Sequence, residues 1–430
     1  MAKKKKKTPP KPARELNSQT FFNERVAAVR KMLQVYGFNP GVLEAFTKKQ
    51  LQYLMHPLVE QPRFKVQEGH RVPRRLLDFV AEEARLFMKR KCFGDPKVGF
   101  TFLELATHGQ AFACAVMAEH WKPTFPPEQS RIIKYLAACF DDNRVAYDLD
   151  DVTTHIHHLA ITISKINYRV YGFSWTCEAI RAGRKIRVTN PVLMSSEETK
   201  TIRFVHKQKE RPAFLVKTGR VVTAPAQGAR IARSLVTGEE CAGDDFLDIY
   251  IQSHALQRVK ERVDVFSAHK RNYHVTCSLV YHQHVVDCPG NRKMLACCDE
   301  MVLDGKAVHV PFGYFPFVIE GDKLIVTTCL PLVSVETWTG KLMREKLGLQ
   351  VEDMKYLGMD KMSFYLTVDL DELPALKEVV DQTDLRYLRN YSLYNHDLIT
   401  YHLNMLTKQD GGKTQMVKRF LDTRGESKRR

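Results

Sequence analysis

One short segment of the chain places histidine, arginine and glutamate at spacings that could act on a phosphodiester. Residues 249–262 begin with a largely apolar run and then carry His254, Arg258, Glu261 and Arg262. Positions four, seven and eight residues after a histidine fall on one face of an α-helix. Two guanidinium groups on that face can hold a phosphate and stabilise developing charge, and the imidazole can move a proton. The segment therefore predicts a helix face that binds or cleaves a phosphodiester.

The neighbouring elements must position that face. Residues 247–252 predict a strand that runs straight into the helix, and Ser253 can cap the first helical turn. The start of a helix carries positive potential, which favours a neutral His254, while Glu261 can orient an arginine or act as a base. A second face of the helix is apolar and can pack on the sheet through Leu256, Val259 and Val263.

The order of elements in this part of the chain resembles that of a known superfamily. A strand, a helix with the pattern HAxxRxxER, and antiparallel strands that end in a hairpin around residues 320–322 are similar to the barnase/EndoU/RelE-like ribonuclease-toxin superfamily. The closest similarity is to its uncharacterised members with a HAxxRxxER helix. The resemblance covers residues 245–332, about a fifth of the chain. It implies RNA cleavage without a metal or cofactor, in which the ribose 2′-hydroxyl attacks its own phosphate.

The resemblance also implies roles for individual residues. It assigns the catalytic set to His254, Arg258, Glu261, Arg262 and Thr327. His254 would be the general acid or base, and the two arginines, oriented by Glu261, would hold the phosphate. Thr327, or its neighbour Thr328, would supply a polar contact from the last strand of the hairpin. RNA is the expected partner rather than DNA, and a protein partner or inhibitor stays open.

Two features depart from the superfamily pattern. The insertion at residues 282–306 is long, and a large helical region precedes the domain. A solvated salt-bridge face with His254 at a helix cap is the other interpretation of the same residues. On that interpretation the chain would be a non-catalytic nucleic-acid-binding or scaffold protein that uses its basic ends.

Basic side chains that follow the helix could extend a phosphate-binding surface. Lys270, Arg271 and His274 lie about ten residues beyond it, and residues 273–281 have a strand-like composition. We expect these three side chains to form a nucleic-acid-binding patch beside His254.

Two groups of potential metal ligands have spacings that match no standard site. They are Cys288, Cys297 and Cys298 with His282 and His284, and His155, His157 and His158 with Asp148, Asp150 and Asp151. We expect buried thiols and surface histidines there, and no metal. The chain also lacks Walker, GxGxxG, GxSxG and kinase motifs, which disfavours nucleotide hydrolases, dehydrogenases and serine hydrolases.

The net charge of +17 is concentrated at the two ends of the chain. The first 14 residues carry seven basic groups and no acid, and residues 408–430 carry eight basic groups and three acids. Runs of like charge stay solvated and can grip phosphates without reading sequence. We expect a flexible basic arm at residues 1–16 and another at residues 408–430, around a body that is only mildly basic.

The rest of the chain divides into two parts and predicts an α+β protein. Residues 17–175 contain six amphipathic stretches joined by short Pro, Gly and Asp turns, which is typical of a helical bundle. Residues 210–385 predict a nuclease-like α+β domain with a mainly antiparallel sheet and packed helices. In finer detail, we expect a short charged helix at residues 196–208 and a strand at residues 362–369.

Cysteine usage and hydropathy bear on the compartment. The ten cysteines are scattered without a CxxC pair, and no apolar run reaches the roughly 18 residues of a membrane helix. The basic first residues are not followed by the apolar stretch of a secretory signal. We therefore expect a cytoplasmic protein with reduced thiols and no membrane contact.

Overall fold

The computed structural model describes most of the chain, and the described residues form two compact units. They are residues 18–55, 58–59, 61–90, 97–140, 143–175, 178–182, 185–219, 228–238, 245–303, 305–394 and 412–427. The first unit comprises Met1–His157 and Phe173–Met194, and the second comprises His158–Gly172 and Ser195–Arg430. The predicted arm at residues 1–16 lies outside the described residues. Helices dominate the beginning of the chain and sheets with helices follow, so the predicted α+β class is confirmed.

Helices make up most of the first unit. They are α1 (Ser18–Val35), α2 (Lys48–Leu54), α3 (Arg74–Met88), α4 (Phe102–Glu104), α5 (Gln110–Trp121), α6 (Pro127–Phe140) and α7 (Asn143–Ile163). A 3-10 turn at Pro40–Ala45 precedes α2, and a π turn at Leu105–Gly109 separates α4 from α5. The end of α7 belongs to the second unit.

Capping residues determine where two of these helices begin. The Thr47 side chain accepts a hydrogen bond from the Gln50 N–H, and the Gln50 side chain accepts one from the Thr47 N–H in return. Thr101 and Glu104 form the same reciprocal pair at α4. One of the six predicted helical stretches covers residues 40–54. Extended backbone at Phe46 and the cap at Thr47 divide it into a 3-10 turn and α2.

Two small sheets use strands that are distant in sequence. The strands are β1 (Leu58–Val59), β2 (Arg63–Val66), β3 (Arg169–Trp175), β4 (Glu178–Ala182), β5 (Lys185–Thr189) and β6 (Pro191–Glu198). Their orders are β1-β5-β4 and β2-β6-β3. Strands β1, β2 and β3 fall inside residues 17–175, where the sequence predicts only helices. Strands β1 and β2 are too short to show a strand period, and β3 buries four consecutive residues and so does not alternate.

The second unit contains a six-stranded, mainly antiparallel sheet and a three-stranded antiparallel sheet. Its strands are β7 (Thr201–His206), β8 (Lys209–Leu215), β9 (Arg230–Ala232), β10 (Phe246–Gln252), β11 (Val285–Cys288), β12 (Arg292–Leu303), β13 (Lys306–Phe315), β14 (Phe317–Glu320) and β15 (Lys323–Val326). One sheet has the order β14-β15-β10-β8-β7 with β9 also paired to β10, and the other has the order β11-β12-β13. Among the described strands of these two sheets, only β10 and β15 pair in parallel. The predicted hairpin at residues 320–322 joins β14 to β15, with Gly321 at a φ of 58°.

Nine helices are described in the second unit beyond the end of α7. They are α8 (Arg233–Thr237), α9 (Ser253–Arg262), α10 (Ala268–Val280), α11 (Trp338–Leu347), α12 (Val351–Tyr356), α13 (Met362–Thr367), α14 (Pro374–Asp381), α15 (Leu385–Tyr394) and α16 (Lys413–Ser427). A continuous hydrophobic core joins the larger helices to both sheets. Val417 of α16 is fully buried in that core, so residues 413–427 form a packed helix where a flexible arm was expected.

Three local predictions are wrong. Residues 196–208 form the end of β6 and the edge strand β7 rather than a helix, and their charges suit a strand edge that must not aggregate. Residues 273–280 lie in α10 and Tyr281 is its C-cap, because Ser267 caps the start of the helix and packing overrides a strand-like composition. Residues 362–369 likewise contain α13 in place of a strand.

Candidate functional site

Strand β10 delivers helix α9 to the edge of its sheet. Ile249 and Ile251 are buried on one side of the strand, and α9 begins directly after Gln252. Three buried positions recur every four residues and anchor the helix on the core: Ala255, Val259 and Val263. The face next to them is partly exposed and carries His254, Arg258, Glu261 and Arg262. The structure therefore brings these four predicted residues together on one side of one helix.

Glu261 fixes the arginine beside it. Arg258 Nη1 donates to Glu261 Oε2 at 2.6 Å, and Gln257 Nε2 donates to Glu261 Oε1 at 3.0 Å. The hydrogen bonds from Gln257 and Arg258 hold the pKa of Glu261 below its ordinary value, so this group stays a carboxylate. A carboxylate with both oxygens occupied orients Arg258 and is a weak general base. Of the two roles considered for Glu261, the geometry favours orientation.

Arg262 ties α9 to the segment that follows β15. Its Nη1 donates to the carbonyl oxygen of Cys329 at 2.7 Å. Burial lowers the pKa of Arg262, but a guanidinium remains charged at neutral pH. Because a guanidinium carries five N–H donors, the bond to Cys329 leaves further donors for another partner.

Burial and neighbouring guanidinium groups keep His254 neutral. Burial lowers the pKa of His254, Arg211 and Arg258 lower it further, and Glu261 opposes them. Arg262 adds a smaller effect in the same direction as the other arginines. Since the ordinary histidine value is about 6.5, a lowered pKa leaves His254 free to accept a proton at neutral pH.

Arg211 is a member of this cluster that sequence reasoning missed. It lies opposite Phe204 across β7 and β8, and Ala213, two residues further on, lies opposite Gln252 of β10. Residues two apart on a strand share a face, so Arg211 lies on the sheet face that carries Gln252, beside the start of α9. Arg211 forms no ion pair with any residue that the structure describes. Arg211 comes near His254 because of the register of β8 against β10, and no local pattern in the sequence predicts that register.

Thr327 lies at the predicted edge of the sheet, but its hydroxyl is already hydrogen-bonded within the protein. Because β15 runs parallel to β10, with Val326 opposite Ile251, residue 327 comes next to the start of α9. The Thr327 N–H and hydroxyl both donate to the carbonyl of Pro316, at 3.0 and 3.3 Å, and the side chain is buried. The hydroxyl therefore closes the hairpin, while the neighbouring Thr328 is half-buried.

The predicted patch of Lys270, Arg271 and His274 is not a single surface. His274 is only 2% exposed, so the structure contradicts its assignment to nucleic-acid binding. The Lys270 ammonium lies 5.1 Å from the centre of the Tyr273 ring, and Arg271 Nη1 donates to the carbonyl of Phe266. The physical reason is burial: His274 lies one helical turn after Lys270 and Arg271, where the rings of other elements cover the helix face.

His274 instead belongs to a buried polar network that was not predicted. Its Nδ1 lies 3.6 Å from Asp299 Oδ2, which accepts a 2.7 Å hydrogen bond from the Tyr391 hydroxyl. Neither ring nitrogen of His274 makes a hydrogen bond with the described residues. Burial lowers the pKa of His274 to about 4 and raises that of the neighbouring Cys277 thiol to about 12. Both groups are therefore uncharged at neutral pH.

The two sets of potential metal ligands do not converge. Within the described residues, no group of three or more His, Cys, Asp and Glu side chains could hold a metal ion. His282 Nδ1 lies 3.6 Å from Glu300 Oε2, and His284 stacks on His309 with ring centres 4.6 Å apart. His155 stacks on Phe87 with ring centres 3.9 Å apart.

Comparison of the chain with family models, with curated proteins and with solved structures gives no match. The resemblance to ribonuclease toxins therefore stays a prediction. Every helix that the structure describes is too short or too polar to cross a bilayer.

Proposed function

We propose that the protein cleaves RNA without a metal, at the face of α9 that carries His254. One observation supports this function above the others: Arg258 and Arg262 share a partly exposed face of α9 with His254. Arg211 comes to the same place from β8, and these charges and burial lower the pKa of the histidine. A phosphodiester is the ligand that suits this arrangement, because its charge matches the guanidinium groups and its ribose hydroxyl offers a proton to the imidazole.

The side chains divide the reaction between them. His254 takes the proton of the ribose 2′-hydroxyl, whose oxygen attacks the adjacent phosphorus. The bond from phosphorus to the 5′-oxygen breaks, a 2′,3′-cyclic phosphate forms, and the 5′-oxygen takes a proton from water. The hydroxide left by that water takes the proton from His254, which restores the neutral imidazole. Arg258, held by Glu261, and Arg211 stabilise the charge that develops on the phosphate oxygens. DNA lacks the attacking hydroxyl, so the proposed reaction is specific for RNA.

A cleavage assay with variants tests this proposal. The full-length protein is incubated with a labelled single-stranded RNA in the presence of EDTA. We expect His254→Ala to lower the rate at least about 100-fold, the usual loss when a general base is removed. Arg258→Ala should lower it about tenfold to 1000-fold, as a lost transition-state contact does.

The matched control is Arg292→Ala, because Arg292 is a partly exposed arginine that also pairs with a glutamate, Glu336. It should cleave within about twofold of the wild type. Absence of cleavage by the wild type, or equal rates in all variants, would show that the α9 face is not catalytic. DNA of the same sequence should remain intact.

A second function, non-catalytic nucleic-acid binding through the chain ends, has its own supporting observation. Seven basic groups and no acid occur in the first 14 residues. Deletion of residues 1–14 should then weaken RNA binding and reduce its salt dependence. At the other end, Lys418→Gln is preferable to truncation, because Lys418 is exposed whereas Val417 beside it is part of the core.

We also infer that the protein acts in the cytoplasm. The described cysteines, Cys114, Cys277, Cys288, Cys297, Cys298 and Cys329, are all free thiols. Reduced thiols in this number suit a reducing compartment, where RNA is also present.

A further inference from the structure

A cavity lies along a different side of α9 from His254. It has a volume of about 330 Å³ and is bounded by α9, by α10 and by residues 164–167. Helix α9 contributes Ser253, Leu256, Gln257 and Lys260, whose spacing places them on one helix face. That face is rotated away from the one that carries His254 and Arg258. All the residues that line the cavity belong to the second unit.

The charge in this cavity is of one sign. Lys165, Lys260 and Arg271 line it together with His269, and no Asp or Glu is among the lining residues. Neither Lys165 nor Lys260 forms an ion pair within the part of the chain that the structure describes. The positive charge of these two lysines is therefore not compensated by a carboxylate of the protein.

The carboxylate that acts on Arg271 is already engaged elsewhere. Burial, the larger cause, lowers the pKa of Arg271, and the Asp264 carboxylate partly opposes this by raising it. The Asp264 oxygens accept hydrogen bonds from the Ser363 N–H at 2.9 Å and from the Ser363 hydroxyl at 2.6 Å. Asp264 does not line the cavity, so an anion there would meet Arg271 with no carboxylate in the lining.

The wall of the cavity is fixed by hydrogen bonds before any ligand arrives. Arg271 donates to the Phe266 carbonyl, and Asn272 Nδ2 donates to the Ile161 carbonyl at 3.0 Å. His269 Nδ1 lies 3.1 Å from the Thr162 carbonyl, which assigns the ring hydrogen to Nδ1 in the neutral form. A wall that is ordered in advance loses little entropy when a ligand binds.

The cavity is also larger and more apolar than a bare inorganic anion requires. Ile166, Leu256 and Val275 form an apolar part of its lining. Cavities that take small organic ligands begin at about 300 Å³ and combine an apolar wall with a few polar groups. The cations and the apolar wall together suit an organic phosphate of about nucleotide size.

We propose that this cavity binds a nucleotide phosphate, with the phosphate at Lys165, Lys260 and Arg271 and the organic part against the apolar wall. That chemistry occurs in a free mononucleotide and in each unit of an RNA strand, and the experiment below separates the two. The site is distinct from the proposed cleavage face. The two are joined by one chain of hydrogen bonds, from Gln257 on the cavity wall through Glu261 to Arg258.

Calorimetric titration of the full-length protein tests the proposal. The probes are AMP, adenosine, inorganic phosphate and a short single-stranded RNA without a terminal phosphate. We expect AMP or the RNA to bind and adenosine not to bind. Lys260→Glu and Lys165→Glu should each weaken that binding at least about tenfold, because each replaces an attraction to the phosphate by a repulsion.

Lys306→Glu is the matched control, since Lys306 is an exposed lysine of β13 that does not line the cavity. It should change the affinity less than about twofold. Binding of AMP but not RNA would identify a free nucleotide as the ligand, and RNA but not AMP would identify a strand unit. Either result supports the site when Lys260→Glu weakens the binding and Lys306→Glu does not, because RNA can also bind at the His254 face.

The proposal is wrong if neither AMP nor the RNA binds, if adenosine or inorganic phosphate alone binds as well as AMP, or if Lys260→Glu and Lys306→Glu behave alike. His254→Ala keeps this result separate from the cleavage proposal. That variant should abolish cleavage and leave AMP affinity unchanged, so each proposal can fail while the other survives.

Discussion

Helices α9 and α10 follow one another in the chain and carry similar ionisable side chains in opposite environments. Helix α9 presents His254 and its arginines on a partly exposed face, whereas α10 buries His274 beside Asp299. Burial is the largest cause of the lowered pKa in both histidines. In α9 the neighbouring charges are mostly positive, and in α10 the nearest charge is negative.

This difference separates a site for chemistry from a structural network. His254 can exchange a proton with solvent or with a ligand that reaches the helix face. His274 is enclosed by Phe266, Phe312 and Tyr391, whose ring centres lie between 4.7 and 6.4 Å from its own. In the sequence, both residues are histidines near basic residues. Only their burial in the structure distinguishes the roles of the two side chains.

The largest difference between the two helices should appear in the free energy of unfolding when the histidine of each is replaced by alanine. His274→Ala removes a buried ring from an aromatic cluster and leaves a cavity, so we expect a loss of about 3 kcal/mol in the free energy of unfolding. His254→Ala removes a partly exposed ring and should cost less than about 0.5 kcal/mol. Urea denaturation followed by circular dichroism measures both. Equal losses would mean that His254 is also a packing residue.

The second-largest effect should be a pH dependence of the free energy of unfolding, which arises from His274 in α10. The pKa of His274 is about 4 in the folded protein and about 6.5 in an unfolded chain, so on acidification the unfolded chain binds the proton first. The stability contribution is complete above pH 6.5 and is lost as the pH falls towards 4. Between pH 7 and pH 5 the loss should be about 2 kcal/mol.

His274→Phe provides the control for that measurement. The substitution keeps a ring in the aromatic cluster and removes the titrating group. Its stability at pH 7 should lie within about 1 kcal/mol of the wild type, and the loss between pH 7 and pH 5 should shrink by about 2 kcal/mol. An unchanged pH dependence would assign it to groups other than His274.

What the sequence revealed of the site was local. The apolar strand β10 and the spacing of His254, Arg258, Glu261 and Arg262 lie within one 17-residue stretch, and periodicity alone places them on one helix face. The hairpin of β14 and β15 was equally readable, since Gly321 marks its turn. Such features depend on neighbours within a few residues.

What the sequence did not reveal depends on long-range contacts. Arg211 joins His254 only through the pairing of β8 with β10, and the cavity of Lys165 and Lys260 needs a segment nearly 90 residues before α9. The composition of residues 273–281 favours a strand, yet six consecutive side chains from His274 to Leu279 are buried in a helix. Packing on β12 decides that segment, and no local pattern reports it.

The smallest expected effect concerns Glu261 and tests how it contributes to the partly exposed face of α9. Glu261→Gln removes the carboxylate that acts on His254 and pairs with Arg258, so the positive charge of the face rises and Arg258 loses its charged partner. We expect RNA affinity to rise about twofold to threefold because of the added charge, while the cleavage rate falls about tenfold because Arg258 is no longer held in place. Single-turnover kinetics with EDTA separates the two quantities. If the rate and the affinity fall together, Glu261 contributes to binding rather than to orientation, and if neither changes, the ion pair with Arg258 has no part in the function of this face.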